Sequence, residues 1–342
     1  MCYNNTVQTK IPLRRTIMKA KKLLPVLALA LAATTFSACG EKTVSLGKYW
    51  QLDATAKESF YEQAVYNVSS KSTESSYCNY TVEYTGTFIT TLESVTALDY
   101  DYVFTTALEV TATFKVDGEE ETVTDTATTE VKFVAEDNLR PVSASKTMSC
   151  HVPLQGTFTS VNNCYTFVEY EYTVNYTQDD KGKIAGHYDV IQDDDKTTFP
   201  LEDTFSFMED YTYIDNESLL VAVRAFDVEE SSATVSTYGV FTESTQKVKF
   251  TFSNPDEKAD KTFNYTKINA DGTETAIDKE LSYRIAKISL DQSNPGGTQV
   301  INFAKNESPN AYHNVILQIT TPLSFGMGEI YYKLAKVSYF KA

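Results

Sequence analysis

Apolar and polar residues alternate with a period of two through most of the chain beyond Phe60. "AVYNV" puts Ala64, Tyr66 and Val68 on one side, and "CNYTVEYTG" sets Tyr80, Val82 and Tyr84 against Asn79, Thr81 and Glu83. In "VFTTALEVTATFKV" one face is Phe104, Leu108, Val110, Ala112, Phe114 and Val116. Successive side chains of an extended chain point to opposite sides, so this alternation predicts strands with one buried face. Asp117-Gly118 offers a two-residue hairpin turn into "TVTDTATTEVKFVAE", where Val123, Ala127, Val131 and Phe133 share a face. The pattern resumes in "CYTFVEYEYTVNY", with Tyr170, Tyr172, Val174 and Tyr176 opposed to Glu169, Glu171, Thr173 and Asn175. Further strands are predicted at "ATVSTYGVF", "QKVKFTF", "KTFNYTKI", "ELSYRIAKISL", "QVINFA", "NVILQIT" and "GEIYYKLAKVSYF", with no fixed-period repeat.

Several of these runs exceed the usual strand length of about 5–6 residues. Long strands joined by tight turns predict one large, strongly curved antiparallel sheet, an incomplete or half barrel, rather than a small sandwich. The period changes in "YIDNESLLVAVRAF", where Asp215 can cap a helix, Glu217 suits its first turn, and Leu219, Leu220 and Val223 form an apolar stripe. The predicted class is therefore all-β with one or two short helices, the helix covering one face of the sheet or plugging an open end. Residues 178–196, "QDDKGKIAGHYDVIQDDDK", are the most polar interior stretch and predict a mobile loop or a seam.

Composition supports strands: aromatic residues make up 13% of the 342, with 23 Tyr and 19 Phe, and such side chains suit a pleated, half-buried surface. Charge is unevenly placed. Lys10, Arg14, Arg15, Lys19, Lys21 and Lys22 precede Cys39 and no acidic residue does, so loss of residues 1–38 takes the formal charge from −16 to −22. Such an acidic chain lacks the basic footprint that nucleic acid demands and gains solubility.

The basic cluster leads into Leu23-Leu24-Pro25-Val26-Leu27-Ala28-Leu29-Ala30-Leu31-Ala32-Ala33, an apolar run of signal-peptide length and too short to span a bilayer. Ser37 and Ala38 directly before Cys39 resemble the lipobox of bacterial lipoproteins, in which the cysteine is lipidated and becomes the mature N-terminus; Phe36 stands where the family usually has Leu. The organisation expected is a signal peptide over 1–38, a lipidated tether over 39–56 and a half-barrel domain over 57–342. The working start is Met1 or Met18, and Arg14-Arg15 resembles a twin-arginine export motif. The expected location is the bacterial cell envelope outside the cytoplasm, with Cys39 holding the chain to a membrane.

Three cysteines remain in the exported part, Cys78, Cys150 and Cys164. A Cys150–Cys164 disulfide would close a short loop worth about 3 kcal/mol, and three free thiols are the alternative. No G-x-S-x-G, H-E-x-x-H or phosphate-binding glycine loop occurs, and His151, His187 and His313 are scattered. The reading is a non-enzyme with no cofactor and no metal. "KINADGTETAIDK" superficially resembles a calcium loop, but Lys267 stands where the first carboxylate belongs, so a hairpin is predicted. The acidic run Asp193 to Asp195 reads as a solvated turn. Tyr80, Tyr84, Tyr170, Tyr172 and Tyr176 place amphipathic rings in rows, as the lining of a ligand groove or simply as a β core.

"NLRPVSASK", "YIDNESLLVAVRAFDV" and "TTPLSFGMGEIYYKLAKVSYF", in that order, resemble a group of uncharacterised bacterial exported proteins. Their half-barrel sheet is similar to that of the periplasmic lipoprotein carriers of the Lol type. Matching positions are Leu139 and Pro141, then Asp215, Leu219, Leu220 and Arg224, then Pro322, Gly328 and Ile330. The resemblance implies a sheet curved around an apolar groove, partly closed by the helix, that holds an acyl chain or another hydrophobic ligand; it carries over no catalytic residue. A surface adhesion or scaffold protein is the alternative reading, and an envelope hydrolase using two carboxylates is a third.

Overall fold

The computed structural model describes residues 44–50, 60–191, 202–207, 211–227, 230–240, 243–253, 259–269, 271–290, 298–305 and 314–340. The leader and Cys39 lie outside these residues, as do Asp193 to Asp195. Among the described residues no helix is long and apolar enough to cross a membrane.

Seven strands of the first half follow one another as a meander: β1 (Tyr61–Ser72), β2 (Thr81–Ser94), β3 (Tyr102–Val116), β4 (Glu119–Val134), β5 (Arg140–Pro153), β6 (Tyr165–Gln178) and β7 (Ile184–Ile191), with short β8 (Glu202–Ser206) at the edge. The Asp117-Gly118 turn is as predicted. Val116 pairs with Glu119, and both turn residues have positive φ (48° and 85°), the geometry whose twist matches that of the flanking strands. Every alternating set named above faces inward, from Ala64, Tyr66 and Val68 to Phe104 through Val116.

After a short helix, α1 (Leu219–Ala225), come β9 (Ser232–Gly239), β10 (Ser244–Phe252), β11 (Ala259–Ile268), β12 (Glu274–Leu290), β13 (Gln299–Ala304), β14 (Ile316–Pro322) and β15 (Gly328–Ser338). All strands join one 15-stranded sheet in the order β8-β7-β6-β5-β4-β3-β2-β1-β15-β14-β13-β12-β10-β9. β11 pairs antiparallel with the first part of β12 and parallel with the end of β15, from Thr266↔Lys336 to Ile268↔Ser338. Strands β11 to β15 thus hydrogen-bond in a closed cycle, and the sheet contains a parallel pairing that the all-antiparallel expectation lacked. The predicted "KINADG" hairpin is the β11–β12 turn, where Gly272 (φ 76°) donates to Asn269 O at 2.9 Å and Asp271 accepts from Thr273.

Within the described part of the stretch, residues 178–191 are not one loop. Ile184, Gly186, Tyr188 and Val190 point inward and alternate with Ala185, His187 and Asp189, so β7 occupies the middle of the polar stretch. Period two was present there, masked by acidic and glycine neighbours.

Helix α1 lies inside the curve of the sheet. Asp215 caps the preceding 3-10 turn (Asn216–Ser218) by accepting from Glu217 N at 2.7 Å, as its sequence position predicted. All seven residues of α1 are buried, not merely a stripe. Arg224 reaches Glu62 on β1, Glu217 reaches Lys146 on β5, and Phe226 packs on Phe250 and Phe252 of β10. A rod of two turns can touch strands so far apart in the sheet order only if the sheet curls around it.

The two sheet edges meet through side chains. Phe205 of β8 stacks on Tyr238 of β9 with centroids 3.8 Å apart and planes 2° from parallel. Gly186, opposite Phe205 on β7, makes room for that ring: a Cβ there would lie 2.2 Å from Phe205 Cζ. The stretch ahead of the helix also leans on β9, with Ile214 N donating to Ser236 O at 3.1 Å and Ser236 N to Thr212 O at 2.9 Å. The result is a barrel-like wrap of a mostly β chain, sealed by an aromatic seam in place of a strand ladder.

Candidate functional site

The five tyrosines singled out in the sequence do share the concave face, but they are packed into it. Tyr80, Tyr84, Tyr170 and Tyr172 are 0%, 1%, 2% and 5% exposed, and Tyr176 is half-buried. Tyr172 donates to Glu217 Oε1 at 2.9 Å, Tyr176 to Asp215 Oδ2 at 2.6 Å, Tyr80 to Leu154 O at 2.7 Å and Tyr170 to Met148 Sδ at 3.4 Å. Burial and nearby carboxylates hold the hydroxyls of Tyr172 and Tyr176 well above their ordinary range. Tyr172 and Tyr176 anchor the turn that leads into α1, whereas Tyr80 holds the β5–β6 connection through Leu154 O and Phe158, so these rings work as core and as anchors for the segments packed on the concave face.

Two inward-facing ion pairs fix that helix, and sequence reasoning missed both. Arg224 binds Glu62 in a bidentate pair (2.6 and 2.8 Å), and Lys146 binds Glu217 at 3.0 and 3.1 Å. Their signal was available: Glu62 continues the inward row of Ala64, Tyr66 and Val68, and Lys146 sits between inward Ala144 and Met148. Charged residues on an apolar strand face must find buried partners. Burial raises the Asp215 carboxyl to about 6, the Tyr176 hydrogen bond opposing the shift and the Glu217 charge adding to it.

The thiols are not paired. Cys78, Cys150 and Cys164 are all free and buried. The Cys150–Cys164 bridge that the sequence allowed is absent because the register sets Cys150 opposite Val168, four residues beyond Cys164 and out of disulfide reach; Cys150 approaches Thr126 O at 3.5 Å and Cys164 Val161 O at 3.0 Å. Burial pushes Cys150 up to about 12 and Cys164 up to about 11. His151, next in sequence to Cys150, turns instead to Asp125, whose Oδ1 takes both His151 N (2.8 Å) and Nδ1 (2.7 Å). A protonated, carbonyl-bound thiol facing away from the imidazole is not an activated nucleophile.

An open cleft of ≈ 280 Å³ lies at one mouth of the wrap, between the β4–β5 turn, the β6–β7 hairpin and the segment before α1. Phe207, Tyr211 and Tyr213 supply an aromatic side, with Phe207 and Tyr213 stacked at 4.1 Å. Arg140, Lys181 and Lys183 supply a basic side, offset by Asp137, which accepts from Arg140 Nε at 2.7 Å. The walls are fixed by local geometry. Asn138 and Leu139 both take left-handed backbone (φ 54° and 58°), and Asp179 Oδ1 accepts from Lys181 N and Lys183 N at 2.9 and 2.8 Å. Lys247 donates to the Tyr211 hydroxyl and sits 4.2 Å from its ring centroid.

The N-terminal segment is tied to this same rim. Val44 N donates to Thr212 Oγ1 at 3.1 Å, Thr212 Oγ1 to Val44 O at 2.6 Å, and Leu46 N to Asn138 Oδ1 at 2.9 Å. Thr212 and Asn138 both line the cleft. Sequence reading could not have found this site, because its residues come from three distant stretches, two polar turns and the aromatic segment before α1, that no local pattern joins.

The fold and site define a mostly β, barrel-like protein that buries a short helix against its concave face and carries a polar-aromatic cleft at its mouth. No family model and no curated protein matches the chain. Among solved structures, the chain is similar to a beta-barrel-like protein of Domain of Unknown Function DUF1849 from Brucella abortus, with a TM-score of 0.46 and 10% identity over 83% of this chain and 99% of that one.

Proposed function

We propose that the protein is a non-catalytic binding protein of the bacterial cell envelope, anchored through lipidated Cys39, that takes a small amphipathic anion in the mouth cleft. The observation that supports this most is the placement of the cleft beside the N-terminal segment. Val44 is five residues after Cys39, a span of at most about 18 Å when fully extended. A chain anchored at Cys39 therefore carries the cleft close to the lipid surface. There the basic side meets a negative group while the partly exposed Tyr211, backed by the buried Tyr213 and Phe207, meets the apolar part of the ligand. A hydrophobic or acyl ligand remains the expected class, with contact moved from the packed concave face to the rim.

The test is a fluorescence titration of the mature domain with dansyl-labelled undecanoic acid. Saturable 1:1 binding that falls at least tenfold in Lys181→Glu/Lys183→Glu, with unchanged melting temperature, is expected. Binding that ignores both charges, or no saturation, would sink the cleft reading. Separately, Cys39→Ser should shift the protein from the membrane to the soluble fraction; continued membrane association would remove the anchor.

A further inference from the structure

On the outer face of the β7–β8 edge hairpin, away from the packed interior, His187, Asp189 and Glu202 bring one imidazole and two carboxylates together. Their ligand atoms all lie within 4.8 Å of one another, and His187 Nε2 is 3.5 Å from Asp189 Oδ1. The strand register enforces this. His187 and Asp189 are two apart on β7 and so share a face, and Asp189 pairs directly with Glu202 on β8. Directly facing them on the same face are Thr173 and Asn175 of β6 and Thr204 of β8, none of which carries charge, and Glu171 of β6 lies one diagonal step from Asp189. Among the described residues no lysine or arginine pairs with either carboxylate.

Two carboxylates held side by side on a strongly acidic chain repel each other unless a cation lies between them. The chemistry of the third group narrows the choice of cation. Calcium wants six to eight oxygens, which two side-chain carboxylates do not approach, whereas an imidazole nitrogen favours zinc, cobalt or nickel. Around a tetrahedral zinc, ligand atoms at 2.0–2.1 Å from the metal stand about 3.4 Å apart. The His187–Asp189 separation already matches, and Glu202, exposed and on a flexible stem, needs only a rotamer adjustment to close the rest. Two carboxylates and a neutral imidazole also neutralise a dication.

We propose that His187, Asp189 and Glu202 form a three-ligand site for a divalent transition-metal ion of the zinc type, completed by water. Binding ties the five-residue edge strand β8 to β7, and β8 leads directly into Phe207, a wall of the cleft. The site does not depend on the cleft's ligand.

The experiment uses tag-free mature protein and the metals alone. Isothermal titration with Zn²⁺ is expected to show one site per chain, with weaker or no binding of Ca²⁺ and Mg²⁺ at equal concentration. Co²⁺ is expected to give visible absorption bands of a nitrogen- and oxygen-ligated low-coordinate ion. His187→Gln and Glu202→Gln are each expected to weaken Zn²⁺ by at least the ten- to hundredfold seen for lost supporting groups, with metal-free melting temperatures unchanged. Zn²⁺ affinity indifferent to His187→Gln, or Ca²⁺ binding as strongly as Zn²⁺ at the same residues, would show a diffuse acidic patch and overturn the proposal, as would no Zn²⁺ uptake at all. None of these results bears on dansyl-undecanoate binding, so the two readings stand or fall apart.

Discussion

Arg224→Met removes the guanidinium that answers Glu62 in the middle of the molecule. The pair is bidentate at 2.6 and 2.8 Å, and the side chains are 6% and 3% exposed, so the stranded carboxylate has no route to water without opening the contact between α1 and β1. Breaking a buried pair by deleting one partner costs about 3–5 kcal/mol, whereas replacing both by apolar side chains of similar volume is often neutral. Each kcal/mol moves the melting temperature of a large domain by roughly 2–4 °C, so Arg224→Met should lower it by about 6–20 °C. Glu62→Leu combined with Arg224→Met should return to within about 1 kcal/mol of the parent. The assay is thermal and urea unfolding of the four proteins of a double-mutant cycle, followed by near- and far-ultraviolet circular dichroism to check that both probes report one transition. Single variants that shift the midpoint by less than about 3 °C, or a double variant as unstable as the sum of the singles, would refute the reasoning that the pair is desolvated and coupled.

Asp215 offers a pH test. Its carboxyl titrates at about 6 in the folded chain against the ordinary 3.8, so the folded state holds a proton between these values that the unfolded state has lost. Stability should therefore fall as pH rises from about 4 to 6, by about 3 kcal/mol, and Asp215→Asn should flatten that slope; an unchanged slope in the variant would remove Asp215 as the source. Gly186→Val should drive Phe205 off Tyr238 and cost about 1–3 kcal/mol, read by unfolding and by faster amide exchange in β8 and β9; a silent substitution would mean the seam does not hold the edges. Iodoacetamide should leave Cys78, Cys150 and Cys164 unmodified in the native protein and label all three after unfolding without reductant, by intact mass; a missing pair of labels would reveal a disulfide.

Much of this architecture was legible in the residues, and particular failures show why the rest was not. The Asp215 cap was readable because an N-cap is satisfied two residues away. β7 was hidden because its inward set, Ile184, Gly186, Tyr188 and Val190, includes a glycine whose missing side chain is filled by Phe205 of another strand. Cys150 and Cys164 looked like a pair because they are near in sequence, but the register of β5 on β6 sets Cys150 opposite Val168, four residues beyond Cys164. The tyrosine rows share the concave face, and nothing local could tell a lined groove from a packed one.

The sequence by itself determined the strands, their inward faces, the tight Asp117-Gly118 turn and the capped helix, since each follows from contacts within a few residues. Only the tertiary structure decided that the helix enters the curve of the sheet, that Glu62 and Lys146 are its anchors, and that β11 closes a cycle onto β15. It also gathered Arg140, Lys183 and Tyr211 at one mouth, and His187, Asp189 and Glu202 on one hairpin face. These depend on pairings across tens to hundreds of residues, where register and curvature, rather than local preference, choose which side chains meet.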